Sequence, residues 1–118
     1  MNFTNDKPIY LQMADRLMDE IVAGTFIDEE RIPSVREYAV NLGVNTNTAM
    51  KAYDELSRNN IIYNKRGLGY FVTAGANEQI KTQRHKEFMK NIIPQIAHQI
   101  KMIDMTIEEL AEELRKVQ

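Results

Sequence analysis

At 118 residues, 43% hydrophobic and 27% charged, the chain has the length of one ordinary domain with a short appendage and enough apolar residues to close a core. The absence of cysteine excludes a disulfide scaffold, a zinc-thiolate site and a thiol nucleophile, and no stretch approaches the roughly 20 apolar residues of a membrane-spanning helix. The net charge of −2 hides a swing from −5 over residues 6–30 to +3 over residues 31–66, and a basic centre beside an acidic flank suits nucleic acid on one face.

The opening MNFTNDK lacks the apolar core of a secretion signal, so the expected location is the cytoplasm. A first helix is predicted from about Pro8 to Ala23. Proline suits a first helical position, and Tyr10, Met13, Leu17 and Ile21 recur at helical spacing as one buried stripe. Gly24 stops it, and a polar link through Asp28, Glu29 and Glu30 leads to Pro33. In Ser34-Val35-Arg36-Glu37 the serine hydroxyl can cap the backbone while the glutamate three residues on reaches back. Val35, Tyr38, Ala39 and Leu42 form the inner face of this short second helix. Gly43 breaks it, and Val44 is a buried spacer. Asn45 caps a third helix running to about Asn59, with Ala49, Ala52, Tyr53 and Leu56 turned inward. Two short helices joined through a glycine and one apolar residue describe a helix-turn-helix.

Two β-type runs follow, Ile61 to Lys65 and Gly69 to Thr73, around Arg66-Gly67-Leu68. The glycines permit the positive φ values of a tight hairpin, here with a basic tip. The expected fold is therefore mainly α with a small β-hairpin: a winged helix-turn-helix over residues 1–75, then a C-terminal helical dimerisation arm over 76–118. Ala74 to Asn77 are expected as a small-residue joint. Beyond it Ile92, Ile96, Ile100, Ile103, Ile107, Leu110 and Leu114 recur at steps of three or four, close to a heptad seam that ends at Val117. Pro94 should kink this region, and Thr106 with Glu109 makes a second capping box. The expectation is a kinked helix over about 78–103, a turn at Asp104-Met105 and a helix over 107–116. The two terminal helices should pack together and bury the rest of the seam against a second copy, making a homodimer.

An exposed helix of this kind fits the major groove. The helix from Asn45 turns Thr46, Asn47, Met50 and Lys51 away from its buried face. Asn47 offers a paired donor and acceptor to adenine, Thr46 and Thr48 can bond phosphate or base, and Met50 can lie against a thymine methyl. Lys51 suits a phosphate. Arg36 reaches phosphate or a guanine edge, and the Ser34 hydroxyl with nearby N–H groups makes an anion site at a helix start. Lys65 and Arg66 can grip phosphate or enter the minor groove, while Gly67 lets the backbone come close. Taken singly, Asn45 to Thr48 also read as a capped helix start, Lys65 and Arg66 as solvated turn charges, and Ser34 as a cap alone. The order of elements within about forty residues favours double-stranded DNA. The rival is a winged-helix module for protein–protein contact without specific DNA readout.

An enzyme is disfavoured, because no carboxylate pair, nucleophile–base set or phosphate loop stands near a plausible cleft. His85 and His98 are thirteen residues apart and read as ordinary surface histidines, and Met89, Met102 and Met105 as interface filler. No cofactor or metal is expected, and no residue cluster advertises an effector pocket.

The runs Ile32 to Ala39, Leu42 to Thr48 and Ala52 to Leu56 resemble the DNA-binding domain of the GntR family of bacterial transcription regulators. Arg66 to Val72 is similar to that family's wing, and Pro8 to Gln12 to the start of its first helix. The resemblance covers about residues 8–73, and the short C-terminal part points to the YtrA-like subfamily. It implies a dimeric regulator, commonly a repressor, on a palindromic operator often beside transporter genes. It also implies DNA-contacting roles for Ser34, Arg36, Asn45 to Thr48, Arg66 and Gly67. Thr46 and Met50 stand where many relatives have arginine, which implies fewer charged base contacts, with Lys51 as a partial substitute.

Overall fold

The computed structural model describes Phe3 and residues 6–118, so part of the polar opening run lies outside the described residues. The chain forms two compact units, Met1–Lys81 and Thr82–Gln118.

In the first unit, α1 (Ile9–Val22) starts after Pro8, whose carbonyl accepts from the N–H groups of Leu11 and Gln12 at 3.1 and 3.2 Å. Proline thus stands at the cap, one residue before the predicted first helical position. Met13, Leu17 and Ile21 are buried as expected, and Tyr10 is half-buried. α2 (Val35–Leu42) carries both bonds of its capping box: Glu37 N–H donates to Ser34 Oγ at 3.1 Å, and Ser34 N–H to Glu37 Oε1 at 3.0 Å. Gly43 closes it in the left-handed region at φ 67°, where only glycine is free of a Cβ penalty. The chain then enters α3 (Thr46–Arg58) through Val44, which is half-buried against the core.

Packing α1 and α2 against α3 buries Ala49, Ala52, Tyr53 and Leu56 on one side of α3. Tyr53 is fully buried. Its hydroxyl donates to the Pro33 carbonyl at 2.5 Å, and its ring meets Tyr38 at 6.0 Å and, edge-on, Tyr70 at 5.0 Å. Such tilted pairs contribute beyond area burial alone. Tyr38 donates to Glu20 Oε1 at 2.8 Å. Burial, then the adjoining Glu20 carboxylate, holds the Tyr38 hydroxyl well above its ordinary range, so it stays a neutral donor.

β1 (Ile62–Lys65) and β2 (Gly69–Val72) pair antiparallel, with Ile62 opposite Val72 and Lys65 opposite Gly69. The acidic link before α2, expected as a mere connection, extends this hairpin. Val72 N–H donates to Glu30 O at 3.0 Å, Ile32 N–H donates to Tyr70 O at 3.0 Å, and Arg31 bridges Phe71. α4 (Ala76–Glu87) begins inside the expected joint, leaving only Ala74 and Gly75 as a turn. Its Ala76 and Ile80 complete the core, and Asn77 Nδ2 donates to the Ile21 carbonyl at 3.0 Å.

In the second unit, the expected kink appears as a π-helical turn, Phe88–Ile92, followed by α5 (Ile93–Met102) with Pro94 in its first turn. Pro94 has no N–H for the Lys90 carbonyl four residues back, and a widened turn there accommodates its ring. α6 (Ile107–Val117) opens on the second capping box, Glu109 N–H to Thr106 Oγ1 at 3.0 Å and Thr106 N–H to Glu109 Oε1 at 3.1 Å. No residue of the π turn, α5 or α6 is buried. Ile96, Ile100 and Leu110 are half-covered, whereas Ile92, Ile103, Ile107 and Leu114 are 40%, 67%, 73% and 51% exposed. The terminal helices therefore do not bury the seam between themselves, and the expected tight packing of one on the other is corrected to an open apolar stripe.

Candidate nucleic-acid interface

The N-terminus of α3 is presented by the fold around it. Its inner face is clamped by the tyrosine cluster, so the outer face is fixed in direction. Asn45 Oδ1 accepts the Asn47 N–H at 2.7 Å, which settles Asn45 as a helix cap and leaves its amide NH2 facing outward. Thr46, Asn47 and Lys51 are exposed, Met50 is 41% exposed, and Thr48 is half-buried at the edge. The free side-chain amide of Asn47 has the donor–acceptor pair that matches the adenine edge.

Arg36 stands exposed in the first turn of α2. Ser34 is more committed than the sequence suggested. Its N–H donates to Glu37 Oε1 and its Oγ accepts the Glu37 N–H, so a carboxylate occupies the helix start where an anion was expected. The bond from the Ser34 N–H, then the one from its hydroxyl, holds the Glu37 carboxyl below the ordinary glutamate range.

At the wing, Arg66, Gly67 and Leu68 form the exposed tip, with Gly67 at φ 80° and nothing within 4 Å of where a Cβ would stand. Lys65 ends β1, as the sequence predicts. Its Nζ sits 4.9 Å from the centroid of the Phe71 ring, a cation–π contact that holds the ammonium on the strand face.

Cations within ion-pair distance of a carboxylate include Lys7 with Asp15, Arg16 with Glu20, Arg58 with Glu55, Lys81 with Glu78 and Lys116 with Glu113. Arg36, Lys51, Lys65 and Arg66 have no carboxylate within ion-pair distance among the described residues. Unneutralised cations beside a polar helix start are suited to a polyanion.

Two features escaped the sequence. The pairing of residues 30–32 with β2 uses backbone groups that no side chain announces. Arg31, at the isolated bridge to Phe71, lies over Gly69, where a Cβ would stand 3.1 Å from its Nε. Among the described residues no cluster of His, Asp and Glu could hold a metal ion, and no helix is long and apolar enough to cross a membrane.

The family model described as bacterial regulatory proteins, gntR family, matches residues 9–72. The HTH-type transcriptional regulator YhcF of Bacillus subtilis is 32% identical over 115 residues, 96% of this chain and 92% of that one. The HTH-type transcriptional repressor YtrA of the same organism is 35% identical over 89 residues, 73% of this chain and 68% of that one. A solved GntR family transcriptional regulator from Listeria monocytogenes superposes with a TM-score of 0.82 at 33% identity, over 98% of this chain and all of that one.

Proposed function

The chain belongs to the GntR family of bacterial regulatory proteins and is a DNA-binding transcription regulator related to YtrA, not an enzyme; from that premise we propose that it acts as a homodimeric repressor at a palindromic operator of a transporter-linked operon. Each subunit lays the start of α3 in the major groove. Asn47 reads an adenine edge, Thr46, Thr48 and Met50 line the neighbouring bases, and Arg36 and Lys51 bind flanking phosphates. Arg66 and Gly67 carry the wing tip to the adjacent minor groove, with Ser34 and Asn45 in supporting roles through hydroxyl and amide donors. The observation that carries this reading is the exposed, polar start of α3, capped by Asn45 and carrying Thr46, Asn47 and Lys51 outward.

The homodimer is supported by the open stripe of α5 and α6. Ile92, Ile103, Ile107 and Leu114 are exposed in one chain, and each contributes roughly 1.5–3 kcal/mol when fully buried. Ile96, Ile100 and Leu110, half-covered already, complete the seam against the partner. Domain roles follow, with the boundary moved from the expected residue 75 to the end of the first unit: reading in residues 1–81, assembly in 82–118. The repressor role is supported by the similarity to YtrA, whose own name states that activity.

The test is selection of bound duplexes from the source genome, followed by titration of the best one. Asn47→Ala should relax preference at one operator position at a cost of about 1–3 kcal/mol, whereas Lys51→Ala should weaken all sequences alike. Equal loss on every sequence for both variants would remove Asn47 from base reading.

A further inference from the structure

Strand register places two cations on the outer face of the wing in an arrangement that the tip alone does not explain. Tyr63, Lys65, Gly69 and Phe71 share one face by alternation and pairing, and Arg31 joins them because it bridges Phe71. The opposite face turns Ile62 and Val72 into the core. On the outer face the side chains cross. Arg31, opposite Phe71, leans over Gly69, while Lys65, opposite Gly69, leans over the Phe71 ring. That ring is itself stacked on Tyr63 at 5.8 Å.

Gly69 makes the crossing feasible. It sits at φ 108°, and any side chain there would meet the Arg31 guanidinium at 3.1 Å. Both cations are exposed, and neither has a carboxylate within ion-pair distance among the described residues. Glu37 feels the charge of Arg31 but stays outside ion-pair distance of it, held by the Ser34 N–H at 3.0 Å, and Glu29 accepts from the Tyr63 hydroxyl at 3.4 Å. Like charges held over adjacent positions of one strand repel each other, and an anion between them relieves that repulsion.

We propose that Arg31 and Lys65, crossed over Gly69 and Phe71, form a phosphate grip on the outer face of the wing, which makes Arg31 a DNA-contacting residue. This role presupposes the DNA-binding wing set out above. The guanidinium offers a planar fork of N–H donors to phosphate oxygens, and the ammonium adds a point charge held in place by the ring. A backbone contact fixes register without reading sequence, so the contribution of Arg31 is the same on every duplex.

The experiment uses the full chain, duplexes it selects from a random pool, and fluorescence anisotropy across a range of potassium chloride concentrations. Arg31→Gln is expected to lower affinity about fivefold to tenfold on selected and random duplexes alike, and to reduce the salt slope by about one per bound subunit. Arg31→Lys should keep the slope, and both variants should melt at the wild-type temperature. An unchanged slope in Arg31→Gln, with Arg66→Gln lowering it, would overturn the grip and leave the wing's role standing. Equal losses in Arg31→Lys and Arg31→Gln, with lowered melting temperatures, would make Arg31 a structural support and also overturn it. A wild-type chain that selects no duplex removes both the grip and the DNA-binding wing.

Discussion

Between Met1 and Lys81 the apolar side chains find one another; between Thr82 and Gln118 they do not. Among the described residues, all seventeen buried hydrophobic ones lie in the first unit, although the second is rich in isoleucine. The difference comes from geometry rather than composition. In the first unit, helices cross in pairs and a hairpin closes the side, so each apolar stripe has a facing surface. In the second, the stripe is drawn out along two helices and a π turn, and none of their residues is buried. A closed core folds without help, whereas an open stripe gains its stability from association and so depends on concentration.

The sharpest way to break this contrast is to charge the open stripe. Ile103→Glu combined with Ile107→Glu should abolish dimers, a loss of about 3–6 kcal/mol per subunit if both isoleucines are fully covered. Sedimentation should then give the mass of one chain, with the melting of the first unit unchanged. Retention of the dimer would place the interface elsewhere.

A second experiment tests where the closed unit ends. A chain stopped after Lys81 should fold as a stable monomer, whereas one stopped at Gly75 loses Ile80 and Ala76 from the core. The difference should be about 1.5–3 kcal/mol in urea denaturation, from Ile80 alone. Equal stabilities would return the boundary to the small-residue turn.

The smallest effect concerns acid. The Glu37 carboxyl titrates below its ordinary value because its charged form accepts from Ser34. A depressed carboxylate contributes stability that is fully present above its unfolded pKa and lost as pH falls through the folded one. Wild type should therefore lose melting temperature below about pH 4.5 slightly faster than Glu37→Gln, in which the titrating carboxylate of the box is absent. Parallel curves would show that the box carries no pH-dependent stability.

Local signals made much of this legible. Ser34 with Glu37, Thr106 with Glu109, and Gly43 each announce themselves, because a helix end needs particular atoms at particular offsets. The exposed start of α3 follows from its buried stripe. Three things stayed hidden because their causes are non-local. Asp28, Glu29 and Glu30 read as a polar link to Pro33, since a bridge to a sheet edge is held by main-chain groups whatever its side chains. Arg31 depends on a glycine almost forty positions away. Pro94 signalled a kink, but the strain is absorbed upstream, in the turn that ends at Ile92. At Ser34 the cap reading is the one the structure fills, with both bonds of the box made to Glu37.

The tyrosine buried beneath α3 has a consequence for how such a molecule can change its target. A roll of that helix by one residue, about 100°, would tear the phenol from the proline carbonyl and unseat two neighbouring rings. The mount therefore holds its angle whichever outward letters it carries. New recognition vocabularies can be written on the outside while the bearing underneath stays as it is.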